Sequence, residues 1–375
     1  MRQGTDPRVR IRQARRLVVK VGSSSLTTHG RIDPVKLDRV VNAVAARLER
    51  GTRVVLVSSG AVAAGLGPLG MTRRPRSLSS LQAAASVGQG QLIAQYAERF
   101  GARGTLVGQV LLTVGDLSRI DSYQNASRTL ERLLALGALA IVNENDTVAT
   151  QEIRFGDNDQ LAAQVAGLVA ADALVLLSDV DALYTAPPSQ PGAKRIDRVD
   201  DVEALSVVTD GPGSGVGTGG MVTKLHAARI AAEMGIPTLL AASSEAAEAL
   251  GGAAGGTVFA ARASRRPRRL AWLENTPKTS GVIQVDAGAV RALTQARASL
   301  LAVGVTAVSG HFHAGDAVTV TGPNGTEVAR GIPNYSAAQV EAMKGLSTGE
   351  LIRRLGADFA REVIHADVIV PPPVA

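Results

Sequence analysis

The apolar run Leu17-Val18-Val19-Lys20-Val21-Gly22, with the hydroxyl residues Ser23-Ser24-Ser25 directly after it, decides the fold class of this 375-residue chain. A short apolar run bounded by turn-forming residues predicts a buried strand. Asp33-Pro34 then supplies an N-cap and a first-turn proline for a helix that Gly51 ends. A strand followed by a helix is the first half of a parallel βαβ unit.

The same alternation of strands and helices continues along the chain. The apolar patterns predict strands at 53–57, 105–112, 139–142, 173–177 and 237–240 and helices at 34–48, 79–100, 123–136, 158–170 and 220–234. This order predicts an α/β fold, a three-layer αβα sandwich with a mainly parallel sheet covered on both faces. Ligands of such sheets bind at the carboxyl ends of the strands, and we therefore look for chemistry there.

The uneven distribution of charge indicates how the chain is divided. The net charge is +7, yet residues 17–261 and 279–375 are both slightly acidic, because the positive charge is concentrated in 1–16 and 262–278. We predict a basic N-terminal tail at 1–16, an α/β domain at 17–261, a basic linker at 262–278 and a second domain at 279–375. We expect the tail to be disordered or to precede the true start of the protein, with a transit peptide as the alternative.

The second domain is predicted to be small and β-rich. Strands are expected at 281–285 and 317–320, with turn signals at 315–316 and 323–325. Ser336 followed by Gln339 and Ser347 followed by Glu350 have the spacing of capping boxes, which predicts two helices.

The composition excludes several classes of protein. The absence of cysteine excludes disulfides, thiolate metal sites, iron–sulfur clusters and a cysteine nucleophile. Aromatic residues make up only 3%, which leaves few platforms for stacking single-stranded bases. No apolar run is long enough to span a membrane, and the N-terminus lacks the apolar region of a secretory signal. We expect a cytoplasmic protein.

Two strand ends have residues suited to phosphate. Lys20 lies at the end of the first strand before Gly22, where a compact positive charge and approachable backbone N–H groups would form a phosphate cradle. Ser58-Ser59-Gly60 ends the second strand in a similar way. An ordinary Gly/Ser turn is the alternative for both.

Two polar clusters follow further along. Asn143-Glu144-Asn145-Asp146 directly follows a strand and could bind the ammonium and carboxylate groups of an amino acid, or form a polar turn. Gly156-Asp157-Asn158-Asp159 precedes a helix, for which simple N-capping is the alternative.

Two further segments contain residues that could bind a nucleotide. Ser178-Asp179-Val180-Asp181 follows the strand at 173–177 and could contact a nucleotide or a metal, or turn the chain. The glycine-rich segment 215–224 opens a helix whose N-terminus favours anions, and Lys224 lies in its first turns. A flexible linker is the alternative for this segment.

Two letter patterns are misleading. Residues 65–70 match a dinucleotide fingerprint, but they do not lie between a strand and a helix, and Pro68 interrupts them. His311 and His313 have metal-ligand spacing, but no carboxylate set accompanies them, so a turn between strands is favoured.

These motifs, in this order, resemble those of the glutamate 5-kinases, a branch of the amino-acid kinase family. The matching segments are 19–24, 58–65, 143–146, 155–159 and 217–224, and residues 310–318 resemble the signature of a C-terminal PUA domain. The resemblance covers about residues 17–370. The chain departs from the family pattern in its basic N-terminal extension and in Val222, where a small polar residue is more usual.

The resemblance implies ATP-dependent phosphorylation of the side-chain carboxylate of L-glutamate, the first step of proline biosynthesis, with Mg²⁺ accompanying ATP. It implies that Lys20 and Lys224 contact the transferring phosphate, that Asp159 orients these lysines, and that Ser59, Asp146 and Asn158 hold glutamate. Feedback inhibition by proline and homo-oligomerisation are further implications. The residues implied to bind ATP are Lys20, Ser178, Asp179, Thr218, Gly219, Gly220, Met221, Val222, Thr223 and Lys224.

Two other functions stay open from the sequence. One is another amino-acid kinase, acting on acetylglutamate, aspartate or a nucleoside monophosphate. The other is an RNA-binding protein that uses the PUA-like domain. The net charge of −1 in 279–375 disfavours a nucleic-acid partner.

Overall fold

A computed structural model of the chain describes residues 6–118, 120–148, 158–205, 220–252, 255–262, 273, 279–296, 298–370 and 372. The chain forms two compact units, one comprising Met1–Thr113 and Ala126–Arg266, the other Val114–Asn125 and Pro267–Ala375. Residues 114–125, which the predicted boundaries place in the first domain, thus group with the second unit. In the part of the chain that is described, no helix is long and apolar enough to cross a membrane.

The first unit is built on an eight-stranded sheet in the order β10-β12-β11-β7-β1-β4-β6-β5. The six strands from β11 to β5 are parallel neighbours, whereas β12 is antiparallel to β11. The strands up to residue 262 are β1 (Arg16–Val21), β2 (Thr27–Thr28), β3 (Arg31–Ile32), β4 (Arg53–Ser58), β5 (Val107–Leu112), β6 (Leu139–Glu144), β7 (Ala173–Ser178), β8 (Leu183–Tyr184), β9 (Arg195–Ile196), β10 (Arg198–Val199), β11 (Thr238–Ala242) and β12 (Thr257–Phe259).

Helices cover both faces of this sheet, and the predicted three-layer αβα sandwich is confirmed. The helices up to residue 262 are α1 (Pro7–Arg12), α2 (Pro34–Glu49), α3 (Ala61–Leu66), α4 (Leu78–Gly101), α5 (Val114–Ser118), α6 (Ile120–Ala135), α7 (Asn158–Leu168), α8 (Met221–Glu233) and α9 (Ala246–Gly251).

The alternation of side chains along β1 decides on which face of the sheet the chemistry lies. Val19 and Val21 belong to the core beneath α2, α4 and α9. Because successive side chains of a strand point to opposite faces, Lys20 points to the other face. Helix α7 packs against β1 on that face, and its N-terminal end begins with Asn158 and Asp159.

Residues 7–12 form helix α1, so the expectation of a disordered tail is wrong for them, whereas residues 1–5 lie outside the described residues. Asp6 caps α1, and Ile11 is only 1% exposed. The buried Arg47 guanidinium donates to the carbonyl oxygens of Ile11 (3.3 Å), Arg12 (2.9 Å) and Ala14 (3.0 Å). Counting charge alone hid this helix, because its arginines alternate with apolar residues that pack inward.

Glycines allow helices α3 and α4 to approach each other closely. A Cβ atom added to Gly65 would lie 1.9 Å from the carbonyl oxygen of Ala84, and one added to Gly88 would lie 1.8 Å from that of Ala61. Gly65, the first glycine of the misleading dinucleotide pattern, therefore serves helix packing.

The second unit contains a five-stranded sheet in the order β14-β13-β15-β16-β17. Both predicted capping boxes are present, at Ser336 and Ser347. His311 and His313 lie between β14 and β15, where the backbone N–H of His313 donates to Asp316 Oδ2 (2.8 Å). The elements are β13 (Gly281–Val285), α10 (Ala287–Gln295), β14 (Val305–Gly310), β15 (Val318–Thr321), β16 (Glu327–Pro333), α11 (Ala337–Met343), α12 (Thr348–Leu355) and β17 (Ile364–Val370).

Candidate active site

Four neighbouring parallel strands, β7, β1, β4 and β6, end at one edge of the sheet, and most of the predicted residues lie there. Lys20 is the penultimate residue of β1, Ser178 ends β7, and Ser59 directly follows β4. The backbone N–H of Ser59 donates to the carbonyl oxygen of Val21 (3.0 Å), which fixes the turn after β4 against the end of β1.

A lysine–aspartate–lysine cluster lies at the centre of this edge. Lys20 Nζ is 2.5 Å from Asp159 Oδ1, and Lys224 Nζ is 3.2 Å from Asp159 Oδ2. All three side chains are buried. The structure thus brings together the three residues that the resemblance named as catalytic, from β1, α7 and α8.

The electrostatics of the cluster keep Asp159 ionised. Burial by itself raises the pKa of this carboxyl group. The charges of Lys20 and Lys224 and the hydrogen bonds from Lys20 and Thr223 outweigh burial, and the pKa falls to about 2. The three described side chains, two ammonium groups and one carboxylate, carry a net charge of +1. Such a site attracts the phosphate groups of a nucleotide.

The N-terminus of α8 adds backbone donors beside the lysines. Gly220 is the N-cap residue and has no side chain to cap the helix, and the first N–H groups of a helix are suited to an anion. Thr223 Oγ1 donates to Asp159 Oδ2 (2.8 Å), a contact that the sequence did not predict, and Val222 is exposed. Of the predicted ATP-binding residues, Met221 belongs to this helix, whereas Thr218 and Gly219 lie outside the described residues.

Side-chain amides and a hydroxyl form a second cluster beside the lysines. Asn158 Nδ2 donates to Ser59 Oγ and to Asn143 Oδ1, both at 2.9 Å. Asn143 Nδ2 in turn donates to Gln89 Oε1 (2.6 Å). Asn158 Oδ1 is buried and has no hydrogen-bond partner among the described residues. A buried acceptor without a donor suits the ammonium group of a bound amino acid.

Asp146, the carboxylate predicted to bind the substrate, has a raised pKa. Burial and the negative charge of Glu144 raise the pKa of Asp146 to about 7, although Arg74 opposes the shift. Its side chain is only partly buried. An ammonium group bound beside Asp146 would restore its ordinary ionisation.

The remaining residues predicted to bind ATP, Ser178 and Asp179, lie at the end of β7. Ser178 Oγ donates to Asp179 Oδ1 (2.9 Å). Ser178 is buried, whereas Asp179 is exposed. The pair lies one strand away from Lys20, on the side of the sheet edge opposite to Asn143.

Among the described residues, no group of three or more His, Asp or Glu side chains is arranged to bind a metal ion. Mg²⁺ is commonly bound by substrate phosphates and water with few protein ligands. We assign no metal ligand from the chain.

Three residues in contact with the predicted site residues, or electrostatically coupled to them, were not selected from the sequence. Asn143 belongs to a motif that the sequence singled out, although only Asp146 was selected from it. Gln89 and Arg74 lie far from that motif in the chain, and no local pattern marks them. Their proximity to the site appears only in the folded structure.

Comparisons with known proteins agree with this arrangement. The family model "Amino acid kinase family" matches residues 15–242, and the model "PUA domain" matches residues 281–355. The chain is 56% identical to the glutamate 5-kinase of Cutibacterium acnes over 98% of this chain and 94% of that protein. It is 54% identical to the glutamate 5-kinase of Salinispora arenicola, over 97% of this chain and 99% of that one.

These matches span nearly the whole chain and include every described residue of the two clusters. The resemblance read from the short motifs is therefore confirmed at the level of the family. The chain belongs to the amino acid kinase family, within which it groups with the glutamate 5-kinases, and it has a C-terminal PUA domain.

Proposed function

We propose that this protein transfers the γ-phosphate of ATP to the side-chain carboxylate of L-glutamate, giving γ-glutamyl phosphate for proline biosynthesis. The observation that supports this most is the buried Lys20–Asp159–Lys224 cluster. It lies at the same sheet edge as the side-chain amides of Asn143 and Asn158 and the hydroxyl of Ser59, which together we call the amide cluster. One cluster suits phosphate and the other suits an amino acid. The named relatives support the choice of glutamate.

The chemistry requires positive charge rather than a base. A glutamate carboxylate with an ordinary pKa near 4.3 is already ionised at neutral pH. The difficulty is to bring two anions together, for which lysines, backbone N–H groups and Mg²⁺ are the usual means. Lys20 and Lys224 would neutralise the transferring phosphate, and Asp159 would hold both ammonium groups in place.

The amino-acid end of the substrate would lie against the amide cluster. Ser59 Oγ, Asn158 Oδ1 and the Asp146 carboxylate are the groups available to it, and the last two are acceptors suited to an ammonium group. Ser178, Asp179 and the N-terminus of α8, with residues 218–224, would hold the nucleotide. These roles are proposals that rest on position and chemistry.

ATP turnover with L-glutamate tests the reaction. We expect ADP release that depends on glutamate, and hydroxylamine should trap the acyl phosphate as the hydroxamate. The same assay with acetylglutamate, aspartate and nucleoside monophosphates tests the other amino-acid kinase reactions. Turnover with one of these and none with glutamate would overturn the proposal.

Further family properties belong to the same proposal. We expect Mg²⁺ dependence, inhibition by proline, assembly into a homo-oligomer and a cytoplasmic location. Chelation by EDTA, proline titration and light scattering test the first three. A salt titration of RNA binding tests the alternative partner, since phosphate contacts give a steep negative slope.

A further inference from the structure

We infer that Gln89, a residue of helix α4, is a positioning residue for the amino-acid substrate: it accepts a hydrogen bond from Asn143 and thereby fixes the side-chain amides that face glutamate. This inference rests on the proposed function, because it assigns the amide cluster to the amino-acid end of the substrate.

One backbone donor fixes the direction of every hydrogen bond in the cluster. The N–H of Glu144 donates to Asn143 Oδ1 (2.9 Å), and a backbone N–H can only donate. Asn143 Nδ2 must therefore face the other way, towards Gln89. Gln89 can meet this donor only with its oxygen, and the observed contact is Asn143 Nδ2 to Gln89 Oε1 at 2.6 Å.

The direction then passes from Asn143 to Asn158. Because Asn143 Oδ1 is an acceptor, Asn158 must present Nδ2 to it, and it does so at 2.9 Å. The same Nδ2 donates to Ser59 Oγ (2.9 Å). Asn158 Oδ1 consequently points away from the cluster, where it is buried and has no partner among the described residues. A rotated Asn158 amide would place two carbonyl oxygens against each other.

Helix α4 is packed against its neighbours on either side of Gln89. Its neighbour Gly88 packs against the backbone of α3, where an added Cβ would lie 1.8 Å from the carbonyl oxygen of Ala61. Two turns further on, Tyr96 Oη and Ser58 Oγ form a hydrogen bond of 3.1 Å, and both residues are buried. The helix thus packs closely on α3 beside Gln89 and is hydrogen-bonded to the end of β4 at Tyr96, and these contacts position Gln89 next to Asn143.

Two substitutions of Gln89 test whether its hydrogen bond to Asn143, rather than its bulk in the packing of α4, affects glutamate binding. Gln89→Glu keeps an acceptor for Asn143 Nδ2, whereas Gln89→Met keeps the length and bulk of the side chain but removes the acceptor. We expect Gln89→Met to raise the glutamate KM about fivefold to tenfold, the usual effect of losing one neutral hydrogen bond. The ATP KM should stay within about twofold of wild type, and Gln89→Glu should restore most of the glutamate affinity.

Gln91→Met is the matched control, because Gln91 lies on the exposed side of the same helix. It should leave both KM values unchanged. The inference is overturned if Gln89→Met binds glutamate like wild type, or if Gln89→Glu is impaired as much as Gln89→Met. A wild-type protein that does not turn over glutamate would instead refute the proposed function, so the two failures are distinguishable.

Discussion

Lys20 and Asp159 form a buried ion pair, with 2.5 Å between Nζ and Oδ1, although one residue lies near the end of the first strand and the other is the second residue of a helix far along the chain. The second oxygen of the same carboxylate contacts Lys224. Asp159 therefore sets the separation of two cations. Under the proposed function, a phosphate that approaches them would meet both charges already in place.

Replacing Lys224 by alanine should lower kcat by about 10²–10³, in line with the removal of one donor to the transition state. Steady-state kinetics with saturating ATP and glutamate measures this loss. Lys194→Ala, at an exposed position of the same unit, should retain wild-type kcat. A near-normal kcat in Lys224→Ala would contradict the role of this lysine.

Replacing Asp159 by asparagine should destabilise the protein by about 3–5 kcal/mol, because Lys20 and Lys224 lose the buried carboxylate that both contact. In the wild type the lowered pKa of Asp159 adds stability above about pH 4, and this is lost only as the pH falls through about 2. Wild-type stability should thus show no titration of this group between pH 5 and pH 9.

Urea unfolding measures this destabilisation. Asp38→Asn is the control, since Asp38 forms an exposed ion pair with Arg99 and should cost no more than about 1 kcal/mol. An Asp159→Asn variant as stable as this control would show that the carboxylate is not needed to hold the lysines.

The raised pKa of Asp146 predicts how glutamate binding depends on pH. With a pKa of about 7, Asp146 is neutral at lower pH and cannot attract an ammonium group. The glutamate KM should therefore rise as the pH falls through about 7, by about tenfold one unit below it. The ATP KM should not follow this profile.

Asp146→Asn supplies the test of that assignment. Its glutamate KM should be high at every pH between 6 and 8.5, because no charge remains to titrate. If the wild-type glutamate KM is flat over this range, or if the variant keeps the wild-type profile, another group is responsible.

Gly88→Ala should destabilise the protein by about 1–3 kcal/mol or more, since the added methyl group has no room beside the backbone of α3. It should also raise the glutamate KM, because α4 would move Gln89 away from Asn143. Gly90→Ala on the same helix meets nothing within 4 Å and should be stabilising by about 0.5–1 kcal/mol. Thermal unfolding measures the stability of both variants. Equal stability changes in Gly88→Ala and Gly90→Ala would contradict the close packing of α3 on α4.

Ile11→Ala should destabilise the protein by about 2–5 kcal/mol, because Ile11 is fully buried in the core of the first unit. Its effect on kcat and on both KM values should be small, since Ile11 packs in the same core as Val19 and Val21, on the face of the sheet opposite to Lys20. Val35→Ala, at an exposed position, is the control. A loss of stability no larger than that of Val35→Ala would indicate that α1 does not pack as described.

The alternation of apolar strands and helices was sufficient to predict the fold class and most elements within a few residues. The predicted strand at 173–177 is β7 (Ala173–Ser178), and the predicted helix at 79–100 is α4 (Leu78–Gly101). Buried parallel strands need continuous apolar runs, and such runs are visible in a sequence. Short elements such as α1 and β12 were missed, because they have too few residues to show a period.

The sequence by itself determined which residues could do the chemistry: lysines and glycines beside strand and helix ends, and the polar runs at 143–146 and 156–159. Only the tertiary structure decided how they meet. Sequence order does not encode distance, so the contacts of Asp159 with Lys20 and Lys224, and of Gln89 with Asn143, depend on how the sheet and its covering helices pack. Hydrogen bonds and ion pairs act over about 3 Å, and only the packed sheet brings these groups within that range.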